Sequence, residues 1–241
     1  MKFNKHFQLY ISITLFIILY ITTWPFYKYI LDPDGACSAA IAEQYAKGHI
    51  SEAINGLWSP LHGWVIIPFI KYGIYTPYAF KVSNLLISLG ILITLHLYLI
   101  KSSINQTIQR SILFSVVIFL LYCTWHELAA DLPFCLMIII YLHITNSKGF
   151  YNSYKKNISA GIVGALAFLS KAVGLPFFLI HFTSIHLWKP SSIKDKRYYL
   201  TGLLMFILMA SPWIIALSLK YNQWMYSGSG LLNMSWLLNP D

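Results

Sequence analysis

Asp32-Pro33-Asp34-Gly35 puts two carboxylates two residues apart in a chain with only eight acidic residues in 241. Carboxylates so placed can hold a cation, orient a hydroxyl or take its proton. The same four residues also suit a solvated Asx-type turn, since Asp, Pro and Gly all favour turns. A second acidic group is Glu127 and Asp131, in Trp125-His126-Glu127-Leu128-Ala129-Ala130-Asp131. They are four apart, which puts them on one face if the segment is helical; an ordinary polar turn between two helices would look the same. Lys171 lies inside the apolar run GIVGALAFLSKAVGLPFFLIHF. A lysine there is costly unless it snorkels, pairs or lines a wet cavity. If it is used chemically, an ammonium is a point-charge binder of phosphate.

These residues need a scaffold, and composition sets its class. The chain is 57% hydrophobic, 17% aromatic and 10% charged, outside the range of a soluble domain of this length. The expected fold is all-α: a polytopic transmembrane helical bundle with juxtamembrane helices in its first outer loop. Three cysteines, Cys37, Cys123 and Cys135, give neither metal spacing nor a disulfide framework. The first apolar run is long and lacks a small-residue cleavage site, so it reads as a retained anchor.

Seven spans are expected, at about 7–27, 82–100, 111–125, 132–146, 158–171, 174–188 and 199–218. With the N-terminus inside, the segments 1–6, 101–110, 147–157 and 189–198 are cytoplasmic. They hold Lys2, Lys5, Lys101, Arg110, Lys148, Lys155, Lys156, Lys189, Lys194, Lys196 and Arg197, eleven of the seventeen basic residues. That distribution obeys the positive-inside rule. The net charge of +9 is therefore a topology signal and not a nucleic-acid footprint. Seven of the eight acidic residues fall outside, Asp195 being the exception, and an outward-facing polar site accounts for that bias.

The outer loop, about 28–81, is the largest polar region. Residues 36–47 are expected to form a helix closed by Gly48. A second short helix is expected at about 51–57 with Ser51 as N-cap. The stretch 60–76 is apolar but short and carries Pro60, Pro68 and Lys71. It is expected to form an interfacial or re-entrant helix on the outer side, because a crossing there would invert every later loop.

Together these segments resemble the N-terminal half of a C-superfamily membrane glycosyltransferase, in the group of protein O-mannosyltransferases and aminoarabinose transferases. Four stretches carry the resemblance: Asp32 and Asp34 with the following IAEQYAKGHI; LWSPLHGWVIIPFIKYG; Asp131 in ELAADLPFCLMIIIYL; and GIVGALAFLSKAVGLPFF, a glycine-rich span ending in Lys171. They cover about residues 7–190. Relatives of this kind often carry Asp-Glu where this chain has Asp-Pro-Asp. Which carboxylate is the base therefore stays open, as does a need for a divalent cation (magnesium or manganese) at Asp32 and Asp34. Such relatives are longer, so the chain is expected to be truncated at its C-terminus.

The resemblance implies transfer of a sugar from a polyprenyl-phosphate donor to a lipid, glycan or protein acceptor, with inversion, on the outer face of a bacterial inner membrane. It makes Asp34 or Asp32 the catalytic base. Asp131, Glu127 and Lys171 would bind substrate, Lys171 holding the leaving phosphate, while Tyr45 and Trp58 would stack on sugar. Membrane lipids are the other expected partner, and no nucleic acid is expected. Charges at helix ends would equally suit a multi-spanning transporter, a lipid flippase or an inactive truncated chain.

Overall fold

A computed structural model describes residues 6–30, 32–102, 104–126, 130–188 and 193–229. Among them the chain is all-α, without a strand. The helices are α1 (Phe7–Tyr27), α2 (Pro33–Lys47), α3 (Ile50–Ala53), α4 (Leu61–Lys71), α5 (Thr76–Leu99), α6 (Gln106–His126), α7 (Asp131–Thr145), α8 (Tyr154–Ser170), α9 (Gly174–Leu187) and α10 (Ile193–Tyr221), with one 3-10 turn at Phe150–Asn152.

Among the described residues, four helical stretches are long and apolar enough to cross a membrane: Phe7–Tyr27, Thr76–Leu99, Gln106–His126 and Lys196–Tyr221. They mark an integral membrane protein. The α4 helix, in the segment expected at the interface, has 11 residues and is only about 16 Å long, roughly half a hydrocarbon core.

Helices α1 and α6 run parallel. At one end Phe7 and Arg110 line a common groove; at the other Tyr20 stacks on Trp125 at 4.5 Å and Tyr27 meets His126 at 5.6 Å. A core of Leu9, Phe16, Ile91, Leu92, Val117 and Leu120 joins them to α5. A second core, rich in phenylalanine, joins α7 to α10 through Phe168, Phe178, Phe182 and Phe206. A third seats the loop helices on α5 through Ala39, Ala42, Ile66, Ala79 and Phe80.

The loop helices differ from expectation in two places. The helix expected at 36–47 begins at Pro33, because Asp32 caps it: its Oδ2 accepts the Gly35 N–H at 3.1 Å, and Pro33 suits the first turn. The far end is as expected: Gly48 takes a left-handed φ of 84°, a conformation that glycine adopts without strain. The second short helix ends at Ala53 and its N-cap is His49, not Ser51. Asn55 Oδ1 accepts the Leu57 N–H at 2.7 Å and the Trp58 N–H at 3.3 Å. That local turn competes with continuation of the helix.

Helices α8 and α10 approach closely at two glycines. A Cβ on Gly161 would lie 2.1 Å from the Gly202 carbonyl oxygen, so backbones meet there in the small-residue manner of membrane helices. Because the obstacle is backbone, Gly161→Val should destabilise the fold by about 1–3 kcal/mol, the usual effect of overpacking. Thermal unfolding in detergent would show it, and an unchanged midpoint would count against the α8–α10 packing.

Candidate functional site

The acidic residues whose side chains are described are Asp32, Asp34, Glu43, Glu52 and Asp131, and all lie at the end of the bundle where α1 and α6 finish. Asp32 follows α1 by five residues and Asp131 follows α6 by five, and the two helix ends touch through Tyr27 and His126. Asp32 is half-buried and Asp34, in the first turn of α2, is exposed. Asp34 makes no side-chain hydrogen bond or ion pair among the described residues. Asp32 Oδ1 is buried and accepts no hydrogen bond among them. Glu43, in contrast, is tied down, accepting the Thr76 hydroxyl at 2.7 Å.

Lys171 and Asp131 meet directly: the ammonium donates to Asp131 Oδ1. Lys171 has left helix α8, its backbone extended at φ −151°, while Asp131 is the first residue of α7. Positive charge at a helix C-terminus and negative charge at an N-terminus both complement the helix dipoles. Each side chain is about half exposed, 46% for Lys171 and 48% for Asp131, so the pair faces solvent and not the core. The apolar run around Lys171 is thus broken by a turn, which resolves the cost of a lysine there.

Trp58 is half-buried and lines a shallow cleft with Ser38 and Ile41 of α2, Pro60, His62 and Ala130. That cleft joins the first loop to the residue preceding Asp131. Tyr45 packs edge-on against Trp64 at 6.3 Å, and Trp64 in turn meets Trp213 of α10 at 6.0 Å. Burial raises the Tyr45 hydroxyl above its ordinary pKa, with Trp64 acting in the opposite sense. Glu127 lies outside the described residues. Asp34 forms no bond with Asp131 or Lys171 among the described residues. No group of three or more His, Cys, Asp and Glu that could hold a metal occurs among them either.

The polar residue that sequence reading missed is Lys81. Assigned to the end of the outer loop, it lies inside α5 and has no exposed surface. Its ammonium donates to the Trp125 carbonyl near the C-terminus of α6 and sits 5.7 Å from the Trp125 ring centroid. Asp32 is within electrostatic reach. One turn on, Asn84 Nδ2 reaches the Thr124 carbonyl at 3.5 Å, and Ser88 Oγ bonds Thr124 Oγ1 at 2.9 Å. Two sequence signals were available. Pro77 suits a helix first turn, which starts α5 early enough to include Lys81. Lys81, Asn84 and Ser88 are then spaced three and four apart, as one polar stripe.

The two lysines should differ sharply on truncation. Lys81→Met removes a buried donor and strands a buried carbonyl, so a loss of about 1–3 kcal/mol is expected. Lys171→Met removes half of a solvated pair and should lose under about 1 kcal/mol. Equal losses in a detergent unfolding series would contradict the burial assigned to Lys81.

No family model, no curated protein and no solved structure matches this chain.

Proposed function

We propose that the chain forms the acidic end of a membrane glycosyltransferase, which moves a sugar from a polyprenyl-phosphate donor to a hydroxyl acceptor with inversion. The observation that carries this reading is the meeting of Asp131 and Lys171, at the bundle end that also carries Asp32 and Asp34. The resemblance of the four quoted segments supports it.

In this reading Asp34 is the base. It is exposed and uncommitted, whereas Asp32 is engaged by the Gly35 N–H. Asp34 takes the acceptor's hydroxyl proton. The acceptor oxygen attacks the anomeric carbon from the face opposite the phosphate. The bond from that carbon to the phosphate oxygen breaks, and its electron pair leaves with the lipid phosphate. Lys171, oriented by Asp131, offsets the charge that develops on the leaving group. Trp58, beside Ala130 in the cleft, supplies a ring on which a sugar can stack. No step is routed through a metal ion. The acceptor is a lipid, glycan or protein hydroxyl.

The proposal places α2, α3 and α4 on the outer face and the N-terminus in the cytoplasm, following the distribution of basic residues. Cys37, exposed on α2, gives a native probe. A membrane-impermeant maleimide added outside intact cells should label Cys37, and should miss a cysteine placed at Asn152 in a Cys37→Ser background. Labelling of the Asn152 position alone would reverse the topology.

The chemistry is tested in vesicles carrying a labelled polyprenyl-phosphate sugar. Asp34→Asn keeps the size and removes the basic oxygen. It should lower transfer by at least about 100-fold, the usual contribution of a positioned base. Asp32→Asn, which can still cap α2, should lower it less. Wild-type transfer by Asp34→Asn would remove Asp34 from the role, and a larger effect at Asp32 would exchange the two.

A further inference from the structure

A groove of about 510 Å³ opens at the opposite end of the bundle, between the first two turns of α1 and of α6. That volume is in the range of small-molecule sites. Its lining is layered. At the helix ends lie Gln8, Arg110 and Ser111 beside the Phe7 ring, and one turn deeper lie Ile11, Leu113 and Phe114. Arg110 and Phe114 are exposed. Ser12, 7% exposed, also lines the groove, and its hydroxyl makes no hydrogen bond among the described residues.

Arg110 has no carboxylate partner among the described residues. At the same end of the bundle Lys101 bonds His143 at 2.9 Å, and Lys156 donates to the Lys148 carbonyl. A guanidinium at the mouth of an apolar groove, in a membrane protein, is complementary to one kind of amphiphile. Its forked N–H donors match a phosphate, and the layer beneath them matches a hydrocarbon chain.

We propose that this groove holds one anionic phospholipid, its phosphate on Arg110 and one acyl chain between α1 and α6, with Ser12 hydrogen-bonding toward the ester region. The site is remote from Asp34 and Lys171, and it stands whether or not the chain transfers sugar.

Native mass spectrometry of the full chain in detergent, titrated with phosphatidylglycerol or phosphatidylcholine, tests it. The chain should retain one phosphatidylglycerol in preference to phosphatidylcholine. Arg110→Gln should weaken that retention about tenfold, as loss of a charged hydrogen bond predicts. Ile11→Trp, which fills the groove from an exposed position, should weaken it comparably. Lys101→Gln, at the same end of the bundle but outside the groove, should leave it unchanged. Three results would each overturn the proposal: unchanged retention in Arg110→Gln or in Ile11→Trp, equal retention of the two lipids, or a Lys101→Gln loss as large as that of Arg110→Gln. Displacement by glycerol phosphate as effectively as by phosphatidylglycerol would also overturn it, showing an anion site that does not read the chain.

Discussion

The Lys81 ammonium, buried without exposed surface, is the constraint around which the acidic end is arranged. A cation in that position needs acceptors, and it finds the Trp125 carbonyl at the end of α6. Helix ends leave carbonyls unsatisfied, so one bond meets two needs. It also determines where α5 and α6 can sit relative to one another. Trp125, so held, donates its indole N–H to Thr23 Oγ1 at 3.0 Å and stacks on Tyr20, which draws α1 into the same corner. Asp32 contributes the nearby negative charge while capping α2. Four helices therefore converge on one buried charge.

The loop helices are held from the other side by α10. Lys220 donates to the Ser51 carbonyl at 2.7 Å and to the Ile54 carbonyl at 2.5 Å. The Gly56 N–H donates to the Tyr221 hydroxyl at 3.2 Å, and the Gly228 N–H donates to the Gly56 carbonyl at 2.6 Å. The loop is thus clamped between the start of α5 and the end of α10. A carboxylate on α2 is consequently carried by a fixed element, and the cleft beside Trp58 is a property of the packed bundle. Pairing Lys171 with Asp131 adds the α7 and α8 ends to the same surface. Being solvated, that pair contributes little to stability, which leaves its charges available for other partners.

The bundle has a chemical polarity along its axis. Described carboxylates gather where α1 and α6 finish, mixed with lysines such as Lys81, Lys171 and Lys220; where the two helices begin, the charged side chains described are basic, among them Lys101, Arg110, Lys148, Lys155 and Lys156. Between the two ends some short polar side chains are satisfied within or between helices, as Ser88 is with Thr124 and Thr94 with the Gly90 carbonyl at 2.7 Å. A hydrocarbon surround demands such internal pairing.

Much of this was determined by the sequence alone. An apolar content of 57% dictates membrane helices, because only helices satisfy the backbone of a spanning chain internally, short of a closed barrel. Gly48 announces the end of α2, and Asp32-Pro33 marks its beginning in retrospect, since capping is a local interaction within four residues. Tertiary structure alone decided the rest. Lys171 and Asp131 stand 40 residues apart; consecutive antiparallel spans put them at the same end, but only the packing of α8 on α7 brings ammonium and carboxylate into contact. The packing of Gly161 on Gly202 depends likewise on which helix faces meet. Lys81 shows the boundary between the two kinds of information. Its place on a polar stripe follows from helical spacing, but its burial follows from the α6 terminus arriving opposite it. Periodicity assigns a residue to a face; only the docking of another element decides what that face encounters.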